Sequence, residues 1–192
     1  MDWIHFLTYV LATTITPGPN TITSMSNASR VGFRKGISLN FGMWFGFSIV
    51  SLCCAAFCSL LTTALPVMQW PLLILGAVYM LHLAWKMWKT GGITANDSGK
   101  SGFTAGALLQ FVNVKIYIYC MVSMQAYILP IYSDQPLIVA GFALFLAFAG
   151  FVCGLVWAAG GSALKVLFSR YAVMTNRVLA LALVYCAVAL FI

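Results

Sequence analysis

The sequence predicts an all-α polytopic membrane protein of six transmembrane helices, and three observations lead there. Of its 192 residues, 62% are hydrophobic and 7% charged, far from the balance of a water-soluble domain. Six apolar runs each offer the roughly 20 residues needed to cross about 30 Å of hydrocarbon. They extend from Trp3 to Ser29, Ile37 to Leu61, Trp70 to Trp88, Phe103 to Ile131, Pro136 to Ala163 and Ala172 to Ile192. Lys and Arg gather in alternate connections, the pattern that orients membrane proteins. Little chain remains between the runs, so residues 1–192 read as a single transmembrane domain with halves at about 1–90 and about 103–192.

The first run opens with MDWIHF, which carries Asp2 and no Lys or Arg, unlike a cleaved secretory signal, so it is expected to stay. Arg30, Arg34 and Lys35 follow it. Lys86, Lys89 and Lys100 surround the third connection, and Lys165, Arg170 and Arg177 the fifth. These connections are expected in the cytoplasm, which puts both termini on the outer, periplasmic side. Trp3 and Trp70 then fall near the outer headgroups, Trp85 and Trp88 near the inner ones. A net charge of +7 divided among small loops is a topology signal rather than a nucleic-acid patch, and the lipid bilayer is the expected surrounding.

Three spans per half place the halves in opposite orientations, so an internal repeat would be a 3+3 inverted one, a common transporter plan. The middle run of each half carries a small-xxx-small step, Gly42 to Gly46 and Gly150 to Gly154, which serves either internal packing or a homodimer. In the last runs, LGAVYMLHL from Leu75 aligns with LALVYCAVA from Leu181, placing Val78 on Val184 and Tyr79 on Tyr185. Each first run has an interior asparagine, Asn20 and Asn113.

The first helix is expected to break within TITPGPNTIT, Thr14 to Thr23. Pro17 and Pro19 lack an N–H and clash with the preceding turn, and Gly18 permits an irregular backbone. A broken helix leaves orphan carbonyls at the end of one half and orphan N–H groups at the start of the next, and hydrocarbon satisfies neither. Asn20 is suited to cap the second half-helix, whose N-terminus points partial positive charge toward the membrane centre. Half-helix ends of this kind bind a substrate carboxylate while unwound carbonyls face a cation. An amino-acid zwitterion presents both groups. The alternative is a kink used only for packing, which a single proline would favour.

Lys115 lies inside LLQFVNVKIYIY. If the fourth span begins near Ala105, this lysine is about 15 Å deep. A lysine there costs roughly 2.5 to 3.5 kcal/mol, so it is expected to face protein or a water-filled cavity. A later helix start would instead let it snorkel to the cytoplasmic surface.

The stretch LTYVLATTITPGPNTITSMSNASRVGFRKG resembles the first span and first loop of the lysine/threonine exporter (LysE/RhtB) family of amino-acid efflux proteins, including the Pro-Gly-Pro-Asn signature, Gly32 and Gly36. Length, six runs and a Lys-bearing fourth span extend the resemblance along nearly the whole chain. The family reads Asn-Pro-Lys where this chain has Asn113, Val114 and Lys115, so the resemblance supplies no second proline break. LQFVNVKI and LALVYCAV look like the cysteine and O-acetylserine exporter branch. The resemblance implies a bacterial inner-membrane exporter of small neutral sulfur or acetylated amino acids. The substrate site expected on these grounds comprises Pro17, Gly18, Pro19, Asn20, Asn113 and Lys115. Lys115 and the half-helix N–H groups would meet the carboxylate, while Asn113 and the freed carbonyls would meet the ammonium, with alternating access around them.

Asp2, Asp97 and Asp134 lie at ends or in loops, so a proton relay through an intramembrane carboxylate is not expected. The six cysteines fall in apolar runs, where packing is the default role. Cys54 and Cys58 share a helical face, but no His or carboxylate is near them in sequence, and no metal site is expected. His5 and His82 lie near the ends of their spans. No motif for a cofactor or nucleotide appears, and no catalytic domain is left over, so the chain does not read as an enzyme. The rival reading is a transmembrane thiol-disulfide carrier. With an inverted repeat it would need a cysteine in each first span, and Cys120 has no counterpart between Trp3 and Ser29. Another neutral or basic amino acid as cargo, or a passive channel, is separated by counterflow measurements.

Overall fold

The computed structural model describes residues 2–57, 71, 74–75, 77–85, 88, 101–163 and 172–188. Leu61, Trp70, Lys86, Lys89, Asp97, Lys100, Lys165, Arg170, Cys58 and Ile192, which figure in the expectations above, lie outside the described residues. Among the described residues the chain is helical with no strand. Its helices are α1 (Trp3–Ile15), α2 (Pro19–Val31), α3 (Phe33–Ala56), α4 (77–85), α5 (Ser101–Val112), α6 (Val114–Ser123), α7 (Leu129–Tyr132), α8 (Pro136–Ala163) and α9 (Ala172–Val188). All fall within the six predicted runs or at their edges. Among the described residues, three stretches are each long and apolar enough to cross a membrane: α3, Val114–Tyr132 and α8. A π-turn at Met124–Ile128 joins α6 to α7. It falls just before Pro130, whose missing N–H and ring prevent an ordinary α-turn there.

The first run divides as expected, and its two halves have opposite character. α1 is capped by the Asp2 side chain, which accepts from the Ile4 and His5 N–H groups. It buries Phe6 and Val10 and leaves Ile4, Leu7, Leu11 and Ile15 exposed, as a lipid-facing helix does. α2, PNTITSMSNASRV, is polar, yet Thr21, Thr23, Ser24, Ser26 and Ser29 are buried. Polar side chains at membrane depth must be wrapped by protein; α3 and α8 enclose this helix. The Ser24 hydroxyl donates to Asn40 Oδ1 of α3.

Small residues set the helix spacing. A Cβ on Gly42 would overlap the Phe103 carbonyl of α5, and one on Gly106 would overlap the Leu39 carbonyl of α3. Backbones in such contact gain dispersion energy that larger residues would deny them. Gly150 makes room for the Phe47 ring and Gly154 for Asn40 and Ser24. Both predicted small-xxx-small steps are therefore taken up inside the chain.

Gly32, at φ 86°, turns the chain tightly from α2 into α3, a conformation open to glycine without strain. The Phe33 N–H donates to Ser162 Oγ at 3.2 Å, which brings the end of α8 to this turn. Met80 and Tyr185 border the α1–α2 break, and Leu83 and Ala180 pack with Ile22, a turn further along α2. α4 and α9 therefore carry Trp88 and Arg177 toward the same end, where the guanidinium carbon lies 5.3 Å from the indole centroid. The described parts of the three basic connections thus share one end of the bundle.

Candidate functional site

The break in the first run is built by its own residues. The Thr16 N–H still donates to the Ala12 carbonyl at 3.3 Å, but ψ 132° then turns the chain out of the helix. Gly18 is extended (φ −167°, ψ −177°), and α2 starts at Pro19, whose fixed φ suits the first helical position and which has no N–H to leave unpaired. The Gly18 N–H donates to Thr21 Oγ1 at 2.8 Å, and that hydroxyl donates to the Gly18 carbonyl at 3.1 Å. Thr21, not Asn20, therefore supplies the cap. Because Pro19 fixes where the helix begins, Asn20 already lies inside the first turn and cannot reach back as a capping residue does.

Asn20 instead joins the two halves of the chain. Its Nδ2 donates to Gln110 Oε1 at 2.8 Å, and Gln110 Nε2 donates to Asn20 Oδ1 at 3.2 Å and to the Gly106 carbonyl at 2.9 Å. Asn113 Nδ2 donates to the same Asn20 Oδ1 at 3.0 Å. Gln110 is fully buried. It was not among the expected site residues; its signal was an amide standing in an apolar run, where polar groups are costly unless paired.

The fourth run is broken too, although it lacks the family's proline. α5 ends at Val112 and α6 begins at Val114, with Asn113 between them at φ −89°, ψ 91°. The Asn113 N–H donates to the Gln110 carbonyl at 3.3 Å, and its carbonyl accepts from the Ile116 N–H at 3.0 Å. Its side chain makes no cap and is spent on Asn20. Asn113 Oδ1 is buried and has no partner among the described residues.

Lys115, two residues past this second break, reaches back to the first. Nζ donates to the Thr16 carbonyl at 2.9 Å. Its stem lies along Gly18, where a Cβ would stand 3.3 Å from Nζ. The ammonium thus satisfies a carbonyl orphaned at the C-terminal end of α1, where the helix dipole favours a cation. It points into the protein and does not snorkel.

Around this junction lies a cavity of about 50 Å³, whose lining combines polar residues such as Thr13, Thr14, Asn20, Asn113 and Lys115 with Phe47, Ile116, Tyr119 and Gly150. Such a volume takes roughly three or four water-sized groups. A second cavity, about 380 Å³, is bordered by Tyr9, Pro17, Met80, Tyr119, Tyr185 and Cys186. Thr16, Gly18, Pro19 and Lys115 border both. Of the six expected residues, five line the smaller cavity, while Pro17 faces the larger one. Asn20 carries its bridge between the halves.

The family model described as LysE type translocator matches residues 11–192. The cysteine/O-acetylserine efflux protein of Escherichia coli (strain K12) is 40% identical over 191 residues, which cover 97% of this chain and 95% of its own length. That of Salmonella typhimurium is 39% identical over 188 residues, with the same two shares of 97% and 95%. That of Klebsiella pneumoniae subsp. pneumoniae is 38% identical over 192 residues, with shares of 95% and 93%. No solved structure matches the chain. A family match through both breaks and on to the last residue, with relatives of this identity along nearly all of their own length, makes this membrane protein a member of the LysE type translocator family.

Proposed function

We propose that the protein exports small amino acids, cysteine and O-acetylserine, across the bacterial inner membrane by alternating access. The observation that carries the reading is the junction of two broken helices over one small cavity into which Asn20, Asn113 and Lys115 are brought together. The N-terminal turn of α2 offers amides that its own ladder does not use, and Lys115 spends one of its three N–H donors on Thr16. Together they suit a carboxylate. The unpartnered Asn113 Oδ1 suits an ammonium. A zwitterion with a short side chain matches these groups; the smaller cavity takes only part of it, and the larger one, which shares Thr16, Gly18, Pro19 and Lys115, has room for the rest. Outward transport and the named cargo are supported by the relatives' names.

Six spans in two inverted halves, with both termini periplasmic, complete the proposal. Its supports are the break in each first span, the direct Asn20–Asn113 bond and the gathering of basic connections at one end. The halves would rock about the junction. Coupling would not run through an intramembrane carboxylate: Asp2 and Asp134 are exposed at helix ends, and Asp97 belongs to a predicted loop.

Purified protein in vesicles preloaded with O-acetylserine should take up labelled O-acetylserine and cysteine by saturable counterflow. Asn20→Ala should lose this activity while eluting like the wild type, with stability lowered by about 1 to 2 kcal/mol as the Gln110 and Asn113 amides lose their partner; full activity in that variant would refute the site. Loss of counterflow in a cysteine-free variant would revive the thiol-disulfide carrier.

A further inference from the structure

We infer that Tyr119 selects the cargo by its side chain: its hydroxyl donates to a carbonyl carried there and so favours an acyl ester over a bare thiol. This rests on the exporter reading above. Tyr119 is 2% exposed, lines both cavities and keeps its hydroxyl buried without a hydrogen-bond partner among the described residues. A buried hydroxyl left unpaired costs about 1 to 3 kcal/mol, and a phenylalanine here would avoid that cost while packing equally well.

The ring is held firmly. It stacks on Tyr9 at 6.0 Å and 17°, and meets Phe47 edge-on at 6.0 Å and 69°. A donor fixed by aromatic packing loses little freedom when it binds, which is how a pre-organised contact gains affinity. Among the other hydroxyls that line the smaller cavity, those of Thr14, Thr16 and Thr21 already donate to backbone carbonyls, whereas the phenol of Tyr119 is uncommitted among the described residues. The groups suited to the α-carboxylate and α-ammonium, Lys115, the first turn of α2 and Asn113, line the same cavity.

Spacing agrees. Tyr119 follows Asn113 by six residues, about 9 Å along α6, and both line the smaller cavity, so a cargo held at Asn113 can extend its side chain toward the phenol. A phenol donates strongly to a carbonyl, whereas a thiol is a weak donor and a weak acceptor.

Tyr119→Phe keeps the ring and removes the hydroxyl. In counterflow the variant should bind O-acetylserine about five- to tenfold more weakly, the effect of one lost hydrogen bond, with cysteine changed less than about twofold on the same ground. In the wild type, an unbranched amino acid of equal length with methylenes in place of the ester should compete about five- to tenfold more weakly than O-acetylserine. Equal losses for both cargoes, no loss for either, or equal competition by the methylene analogue would overturn the role of Tyr119. Absence of saturable counterflow in the wild type would overturn the exporter reading itself.

Discussion

The two helix breaks that meet at the centre of this protein are made by different means. The first, through Thr16, Pro17 and Gly18, is enforced by covalent structure: two prolines that cannot donate, and a cap closed locally by Thr21. The second, at Asn113, has no residue that forbids a helix. It is drawn open by the bond from Asn113 to Asn20, while Gln110 holds Asn20 and Lys115 holds Thr16. A proline break persists whatever its neighbours do; a break held by tertiary bonds exists only while its partner is in place. The difference implies that the shape of the second half depends on the first through these contacts.

Four variants test this contrast, from the largest effect to the smallest. Lys115→Met removes the cation that links the second half to the first break, and counterflow should fall at least about a hundredfold, or some 2.7 kcal/mol. Pro17→Ala combined with Pro19→Ala removes an obstacle worth about 3 kcal/mol per interior proline. Amide hydrogen exchange at Gly18 and Thr21 should slow as the helix heals, and transport should drop roughly tenfold, about 1.4 kcal/mol.

Gln110→Ala leaves the Asn20 amide partly unpaired and should lower stability by about 1 to 2 kcal/mol, visible as an earlier thermal transition in detergent. The same change should loosen the break at Asn113 more than the one at Gly18, as hydrogen exchange would report. Val114→Pro should do least. Val114 is the first residue of α6, where proline is favoured, and Asn113 already holds a non-helical ψ of 91°. Transport should stay within about twofold and stability should rise by about 0.4 to 1 kcal/mol. A large loss would mean that the second break is not shaped as described.

The first break was legible because proline acts on its own backbone: Pro17, Gly18 and Pro19 announce it to any reader of the chain. The burial of Lys115 was legible for a similar reason, since a charge deep in an apolar run needs protein around it. Asn20 lies two positions past the cap expected of it, because a capping preference is decided by where the helix starts, and Pro19 decides that. Gln110 gave too weak a signal alone; an amide in a membrane helix is explained only by its partner, here 90 residues away.

Composition, apolar run length and proline chemistry are properties of the chain itself, so the sequence by itself determined that this is a helical membrane protein with a broken first span. The second break, the amide bridge, the grip of Lys115 on Thr16 and the unpartnered hydroxyl of Tyr119 were decided by tertiary structure. Each depends on hydrogen bonds, made or missing, between groups that only packing brings together, and in hydrocarbon no water stands by to make them instead.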